Sequence, residues 1–470
     1  MAGTEEAIIN EMRIYLSIIF MGLYTLSFGQ SREERELAKQ VDKSISENYT
    51  AFAPGCAVLV AKNGKVLLEK GYGSANLELK VPMRAEMVFR IGSVTKQFTA
   101  IAILQLVDKG QVALTDSIQK FIKDFHFKGR TITVENLLTH TSGIRGYEQI
   151  DARIPNAIRI DFSPKTVIDS LNHLSLEFYP GTKYAYSNSN YFLLSYIIEQ
   201  VSGKSYQQYL TENIFQPAGL TSTYYESSTD LIPNRVSGYS FSEGRYWNPD
   251  FISMSLVYGA GALRSTVSDL YKWHKALYGG ILVKKETFSK AIQPYRLADG
   301  KQIEYGYGFF NKTENGIRSI GHGGAIDGFR AIEMYYPDKD VFIAFLCNSD
   351  QDNFELLYQK VANIVLGVKS ENEFKEVKVS REILNGYVGT YKNNQHSQSM
   401  TIQMGGDGRL YCTLSNGTGT NMVLFAQDET LFLLPEVRRI RTTLQFVVEN
   451  GKTTKLIWAQ ENTGEFIRVD

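Results

Sequence analysis

The sequence predicts an α/β (α+β) fold: a domain with an antiparallel sheet and a helical region, followed by a small all-β domain. Two observations predict it. An N-terminal hairpin, helices in the middle and further strands before a last helix describe one mixed domain built on an antiparallel sheet. After the charged stretch Lys369–Arg381 only short alternating segments remain, the mark of a small antiparallel sandwich or barrel. The boundary falls near residue 372. The division is therefore 1–29 as a leader, 30–371 as the mixed domain and 372–470 as the β domain.

From Met12 the chain reads MRIYLSIIFMGLYTLSFGQS, with one Arg, an apolar run from Ile14 to Leu26, then Ser27-Phe28-Gly29. This pattern fits a signal peptide cleaved before Gln30, and the run is too short to span a bilayer. The acidic stretch before Met12 reads as a misplaced start or an added leader, so Met1 and Met12 both stand as starts. The expectation is an exported chain, periplasmic or extracellular, with no stable membrane span once mature. Pro54–Gly73 is a hairpin, with apolar runs flanking Asn63-Gly64, a dipeptide favoured in type I′ turns. Ser93–Lys109 is a helix, apolar on several faces and closed by Gly110. Tyr191–Val201 is a second helix, ended by Gly203. A third follows Ser265-Thr266, with Asp269 as capping-box partner of Thr266. Gly328–Pro337 and Val341–Asn348 are strands joined by a Pro-Asp turn, and Phe354–Leu366 is the last helix. Beyond it, alternating segments lie around Met400–Met404, Arg409–Leu414, Leu431–Leu434, Leu444–Glu449 and Leu456–Gln460, with Asn416-Gly417 and Asn450-Gly451 as turns.

Fifty basic and fifty acidic residues cancel, which removes any basic footprint for nucleic acid or anionic membrane. Cys56, Cys347 and Cys412 lie far apart, form no C-x-x-C pair and read as buried small hydrophobes. Six histidines without an H-E-x-x-H or similar cluster disfavour a metal site. No cofactor is expected. G-x-S-x-G does not occur, which disfavours an α/β-hydrolase.

The chemistry centres on Ser93-Val94-Thr95-Lys96. A serine hydroxyl is a poor nucleophile until a base takes its proton. At the start of a helix, residues i and i+3 share a face, so the Lys96 amine can reach Ser93 Oγ. The helix N-terminus favours negative charge there. Lys96 must be neutral part of the time, and burial lowers its reference pKa of about 10.4. Alone the motif is weak, because Ser117-Ile118-Gln119-Lys120 has the same spacing. Tyr-x-Asn occurs at Tyr186, Tyr246 and Tyr391, and His-x-Gly at His322.

Context and order discriminate. FRIGSVTKQFTA, GQVALTDSIQKFI, LLTHTSGI, FYPGTKYAYSNSNYFLLSYIIEQVSG, YGAGALRSTVSDLYKW and GHGGAIDGF resemble, in order, blocks of the class C β-lactamases and their relatives. Those relatives are the penicillin-binding proteins, D-peptidases and serine esterases of the β-lactamase/transpeptidase-like fold. The resemblance covers roughly 55–367 and selects Tyr186–Asn188 over the other Tyr-x-Asn tripeptides. It implies that Ser93 forms an acyl-enzyme and that Lys96 assists proton removal. Tyr186 acts as base and then as acid to the leaving group, and Asn188 holds Lys96 and substrate. The oxyanion hole would be the amides of Ser93 and Ala325, on an edge strand where Gly324 permits close approach. LNGYVGTYKNN resembles the entry to lipocalin-like β modules appended to some of these peptidases.

One departure shifts the expected substrate. The β-lactamases begin the third motif with lysine, a permanent cation; this chain has His322, mostly neutral at pH 7. Weight moves from β-lactams to D-amino-acid peptides or esters. Arg264 and Arg330 are alternative sources of charge, and a structural role for His322 stays open. His140 reads as structural and Tyr258 as a packed loop tyrosine. A rival from another class is a sensor or scaffold that keeps the fold without turnover.

Overall fold

Cys56–Lys62 is apolar at nearly every position, which suits a strand covered on both faces. In the computed structural model it is β1, in the middle of a six-stranded sheet. The structure describes residues 30–469 except 127–128, 151–155, 228, 243–244, 315, 351–353, 369–375, 394–397, 406–407, 415–421, 435–441 and 460–462. The leader, the boundary near 372 and the Asn416-Gly417 turn lie outside the described residues.

The hairpin forms as expected. Asn63 and Gly64 both take positive φ, 52° and 73°, and join β1 to β2 (Lys65–Tyr72). The remaining strands are β3 (Phe310–Glu314), β4 (Ile317–Ile326), β5 (Phe329–Tyr336) and β6 (Val341–Cys347). The order is β3-β4-β5-β6-β1-β2, with every neighbour antiparallel. Alternation sends Cys56, Val58 and Val60 to one face, against Val41 and Ile45 of α1 (Arg32–Ser46) and against Val361 and Val365 of the helix Phe354–Leu366. That helix is not the last, as the sequence implied: a short helix capped by Ser380, Arg381–Tyr387, precedes the β domain's first strand. Ala57, Leu59 and Ala61 face the main core with Phe98 and Ile101.

Those two phenylalanine and isoleucine side chains belong to α2 (Thr95–Asp108), on which every residue from Thr95 to Leu106 is buried. A 3₁₀ turn, Gly92–Val94, precedes it, so the α-helix starts two residues later than the sequence implied. Polar residues inside so dry a helix must find partners. The next long helix, α3 (Asn188–Ser202), begins at Asn188 rather than Tyr191. In α4 (Val267–Tyr278) Thr266 caps the Asp269 N–H, but the expected reciprocal bond does not form. The Asp269 carboxylate instead accepts from Ser222 N at 2.7 Å and Thr223 Oγ1 at 3.0 Å, because the 222–223 segment supplies unpaired donors.

The β domain is a closed eight-stranded barrel in sequential antiparallel order. Tyr391, Met400, Ile402, Leu410, Leu424, Leu444 and Phe446 fill its interior. It meets the first domain through Tyr411, Val423, Phe425 and Leu433, which pack with Phe241 and Leu356. All three cysteines are buried and free. Among the described residues, no helix is long and apolar enough to cross a membrane and no His/Cys/Asp/Glu cluster suits a metal ion.

Candidate active site

The turn that carries Ser93 is pressed against the end of β4. Gly92 has φ +47°, and a Cβ there would meet Ala325 N at 3.0 Å. A Cβ on Gly324 would come within 2.0 Å of the Ile91 carbonyl oxygen and 3.1 Å of Ser93 N. Two glycines thus let two backbones touch, and the Ser93 and Ala325 amides come side by side. Beyond Gly321, β3 no longer pairs with β4, so Gly323, Gly324 and Ala325 have an open edge opposite β5. The expected edge strand is therefore an edge only in this half.

Lys96 lies one turn into the helical segment and is fully buried. Its Nζ donates to Ser93 Oγ at 2.9 Å, Asn188 Oδ1 at 2.8 Å and the Ala260 carbonyl at 2.7 Å. Burial lowers its pKa from 10.5 to about 7, with Glu148 opposing the fall. The Ala260 carbonyl is held by its own turn: Thr99 Oγ1 donates to Gly259 O at 2.7 Å. In that turn Tyr258 has φ +45° and packs between Phe192 and Tyr206, each ring 5.2 Å away. It is the packed loop tyrosine expected.

Tyr186 presents its ring beneath the amine, with Nζ 4.8 Å from the centroid. Surrounding protein raises its phenol above 10, while hydrogen bonding with Ser93 pulls the other way. The residue is 39% exposed to the cleft, so solvent offsets part of that rise. Asn188, at the start of α3, also donates from Nδ2 to Glu148. Glu148 was not singled out in the sequence; it sits just past the LLTHTSGI block, on a short 3₁₀ turn.

His140 lies behind Tyr186, their ring centres 4.3 Å apart. Its carbonyl accepts from Ala185 N at 3.0 Å and its Nδ1 accepts from Ser187 N at 3.2 Å. The residues on both sides of Tyr186 are thus tied to one imidazole residue. Burial, then Lys96, depresses its pKa well below the usual range. It is neutral and positional, and its side chain bonds the segment around Tyr186 rather than its own loop.

His322 is 2% exposed, its Nε2 at 3.2 Å from the Tyr305 hydroxyl and its Nδ1 bonded to Gly323 O. Burial and then Lys96 lower its pKa to about 3, so it carries no positive charge at pH 7. The two arginines considered as substitutes are committed elsewhere. Arg264 is bound to Glu226 at 2.7 Å, and Arg330 donates to Phe329 O at 3.0 Å and Asp350 O at 3.2 Å.

The other tripeptides are placed apart from this site. Tyr391 is buried in the barrel and donates to Tyr387 O at 2.7 Å. Tyr246 lies on a small hairpin strand, Arg245–Trp247. Lys120 of the Ser117 decoy pairs with Asp116 at 2.8 Å.

A family model described as Beta-lactamase matches residues 41–365. Penicillin-binding protein 4* of Bacillus subtilis (strain 168) is 27% identical over 431 residues, 87% of this chain and 93% of that protein. A D-aminopeptidase of Brucella anthropi is 26% identical over 425 residues, 89% of this chain and 76% of the relative. Among solved structures, an octameric penicillin-binding protein homologue from Pyrococcus abyssi superposes with TM-score 0.63 at 26% identity, covering 92% of this chain and 99% of that one. A D-amino acid amidase from Ochrobactrum anthropi SV3 superposes with TM-score 0.61 at 22% identity, covering 71% and 98%; at that identity the likeness is one of fold.

Proposed function

The chain belongs to the beta-lactamase family and is a serine hydrolase of it, and we propose that it cleaves D-amino-acid peptides or esters through an acyl-enzyme on Ser93. The observation that carries this reading is the buried Lys96 amine, held at 2.9 Å from Ser93 Oγ with a pKa near neutrality. A neutral amine at that distance is a base in place before substrate arrives.

Ser93 Oγ attacks the scissile carbonyl and its proton passes to Lys96. The tetrahedral oxyanion lies between the Ser93 and Ala325 amides, a contribution typically worth about a hundredfold or more in rate. The raised phenol makes Tyr186 a better donor than resting base. We therefore place the first proton transfer on Lys96 and the proton given to the leaving group on Tyr186. Water then attacks the acyl-enzyme, giving its proton to the Tyr186 phenolate, and Lys96 returns its proton to Ser93 Oγ as the acid product leaves. Asn188 fixes the amine. His322, neutral and behind the cleft wall, supports the strand that offers Gly324 and Ala325 to substrate. The absence of a cation at that position favours D-peptides or esters over β-lactams, as do relatives named D-aminopeptidase.

A panel of a D-amino-acid peptide, a muropeptide, a short ester and a β-lactam, with wild type and Ser93→Ala, tests the proposal. Ester or D-peptide cleavage is expected, abolished by Ser93→Ala, with slight β-lactam turnover. Labelling by a covalent serine probe without turnover of any substrate would instead favour a sensor. We also propose export: N-terminal sequencing of the mature protein should begin at Gln30, and a chain retaining its leader would refute this.

A further inference from the structure

Beside the cleft lies a cavity of about 780 Å³ whose lining includes Arg90, Arg235, Arg264, Glu226, Asp161 and Phe329. The chain brings it close to the nucleophile. Arg90 precedes Ser93 by three residues, which limits their Cα separation to about 11 Å. Phe329 pairs with Ile326, the neighbour of Ala325. A substrate bound at Ser93 has this cavity within the length of a short chain.

Its charges are unevenly paired. Arg90 and Arg264 are register partners on adjacent strands and both grip Glu226. Arg90 donates at 2.8 and 2.8 Å, and Arg264 at 2.7 and 3.0 Å. One carboxylate serves two guanidiniums. Arg264 is 4% exposed and its Nη1 has no hydrogen-bond partner among the described residues. Arg235 is exposed and makes no ion pair among the described residues. The second acid, Asp161, accepts from Ser253. Three arginines and two carboxylates line the site, with Asp327 outside the lining also acting on Arg90. The arginine without an ion pair is the exposed Arg235, and the buried Arg264 keeps one N–H group without a partner, so both can turn to an anion that enters. Phe329 lies 5.9 Å from the Arg90 guanidinium and 5.4 Å from that of Arg264, so apolar surface adjoins the charge.

We propose that this cavity is a second recognition site, which takes a carboxylate carried on the acyl or peptidyl part of the substrate, remote from the bond cleaved. The proposal rests on the Ser93 reading for its placement, and its test separates the two. The probes are p-nitrophenyl octanoate and the p-nitrophenyl monoester of suberate, which share the reacting ester and differ in a terminal carboxylate. Wild type should prefer the suberyl ester in kcat/KM by about tenfold or more, a difference equivalent to about 1.4 kcal/mol. Arg235→Gln, an exposed position whose loss leaves the buried ion pairs intact, should bring that ratio towards one, and Arg235→Glu should reverse it. A wild-type ratio of one or less, or a ratio indifferent to both changes, overturns the proposal. If neither ester is hydrolysed, the Ser93 reading has failed, and calorimetry with suberate decides the cavity alone. Binding weakened tenfold or more by Arg235→Gln supports it; no binding to wild type overturns it.

Discussion

Burial takes the Lys96 amine from 10.5 to about 7, with consequences of opposite sign for catalysis and stability. A base works when neutral, so kcat/KM should rise with pH through about 7 and then level. His322, with its pKa lowered to about 3, contributes no limb in that range. The pH–rate profile of His322→Gln should therefore keep its acid limb near 7, and a profile flattened by that change would assign the limb to the wrong residue. The cost of the same depression falls on stability. An unfolded lysine stays protonated to about 10.4, so between about 7 and that value the unfolded chain binds the extra proton and stability climbs with pH. At 1.36 kcal/mol per unit, the depression costs the fold roughly 5 kcal/mol at and below neutrality. Lys96→Met should abolish activity, and its melting temperature should depend less on pH between 7 and 9.5 than that of wild type, as measured by calorimetry.

At the scale of elements, the site depends on how closely β4 approaches the turn before Ser93. Gly324→Ala places a methyl 2.0 Å from a backbone carbonyl, which has no side-chain freedom with which to yield. The strand must move and the Ala325 amide with it. A fall of about a hundredfold in kcat, with KM changed far less and the fold intact by circular dichroism, is expected from misplacing one oxyanion donor. Behind α2, Glu333 on β5 accepts from Gln97 Nε2 at 2.6 Å, and Gln97 accepts from Trp273 Nε1 at 2.8 Å. Burial raises the Glu333 carboxyl from 4.5 to about 7. The folded state therefore holds the proton between those values, and stability falls as pH rises through them. Glu333→Gln keeps the acceptor and removes the charge. It should stabilise the protein by up to roughly 3 kcal/mol at pH 8 and negligibly at pH 4.5, by urea unfolding. Much of this architecture is legible locally. Asn63-Gly64 fixes the hairpin because its turn demands positive φ, and the apolar surface of α2 announces a central helix. The strand Ile317–Ile326 is legible only as a motif, since its glycines erase the alternation that marks a strand. Ser93 and Lys96 share one helical turn and could be paired from spacing. Glu148, His140 and the Ala260 carbonyl reach the site through tertiary folding. His140 and Ala260 lie in blocks that carry the resemblance, but no spacing assigns them a place beside Lys96, and no local pattern marks Glu148. Asp269 shows the same limit: its spacing fits a capping box, but donors distant in sequence claim its carboxylate.

At the scale of the molecule, the question is whether the barrel shares stability with the hydrolase domain. The barrel has its own closed ladder and an interior filled by its own side chains. The junction is a small cluster in which Phe241 lies 5.5 Å from the Tyr411 ring, with Leu356 beside it. Burying a few such side chains is worth a few kcal/mol at about 25 cal/mol per Å², less than the roughly 5–15 kcal/mol that either core needs to stand alone. Two calorimetric transitions are therefore expected, one per domain. A chain truncated after residue 372 should keep the hydrolase transition within a few degrees, bind more of a hydrophobic dye through the uncovered Phe241 and Leu356, and retain the ester-to-peptide preference of the full chain. Yet Phe241 N donates to Asp350 Oδ1 at 3.0 Å, and Asp350 Oδ2 accepts from Gly328 N at 3.3 Å, in the turn that follows the Ala325 strand. If the full chain instead melts in a single transition, or truncation lowers kcat by about a hundredfold as loss of an oxyanion donor would, that chain of contacts conveys the barrel's support to the Ala325 amide. The barrel would then be part of the catalytic unit rather than an appendage to it.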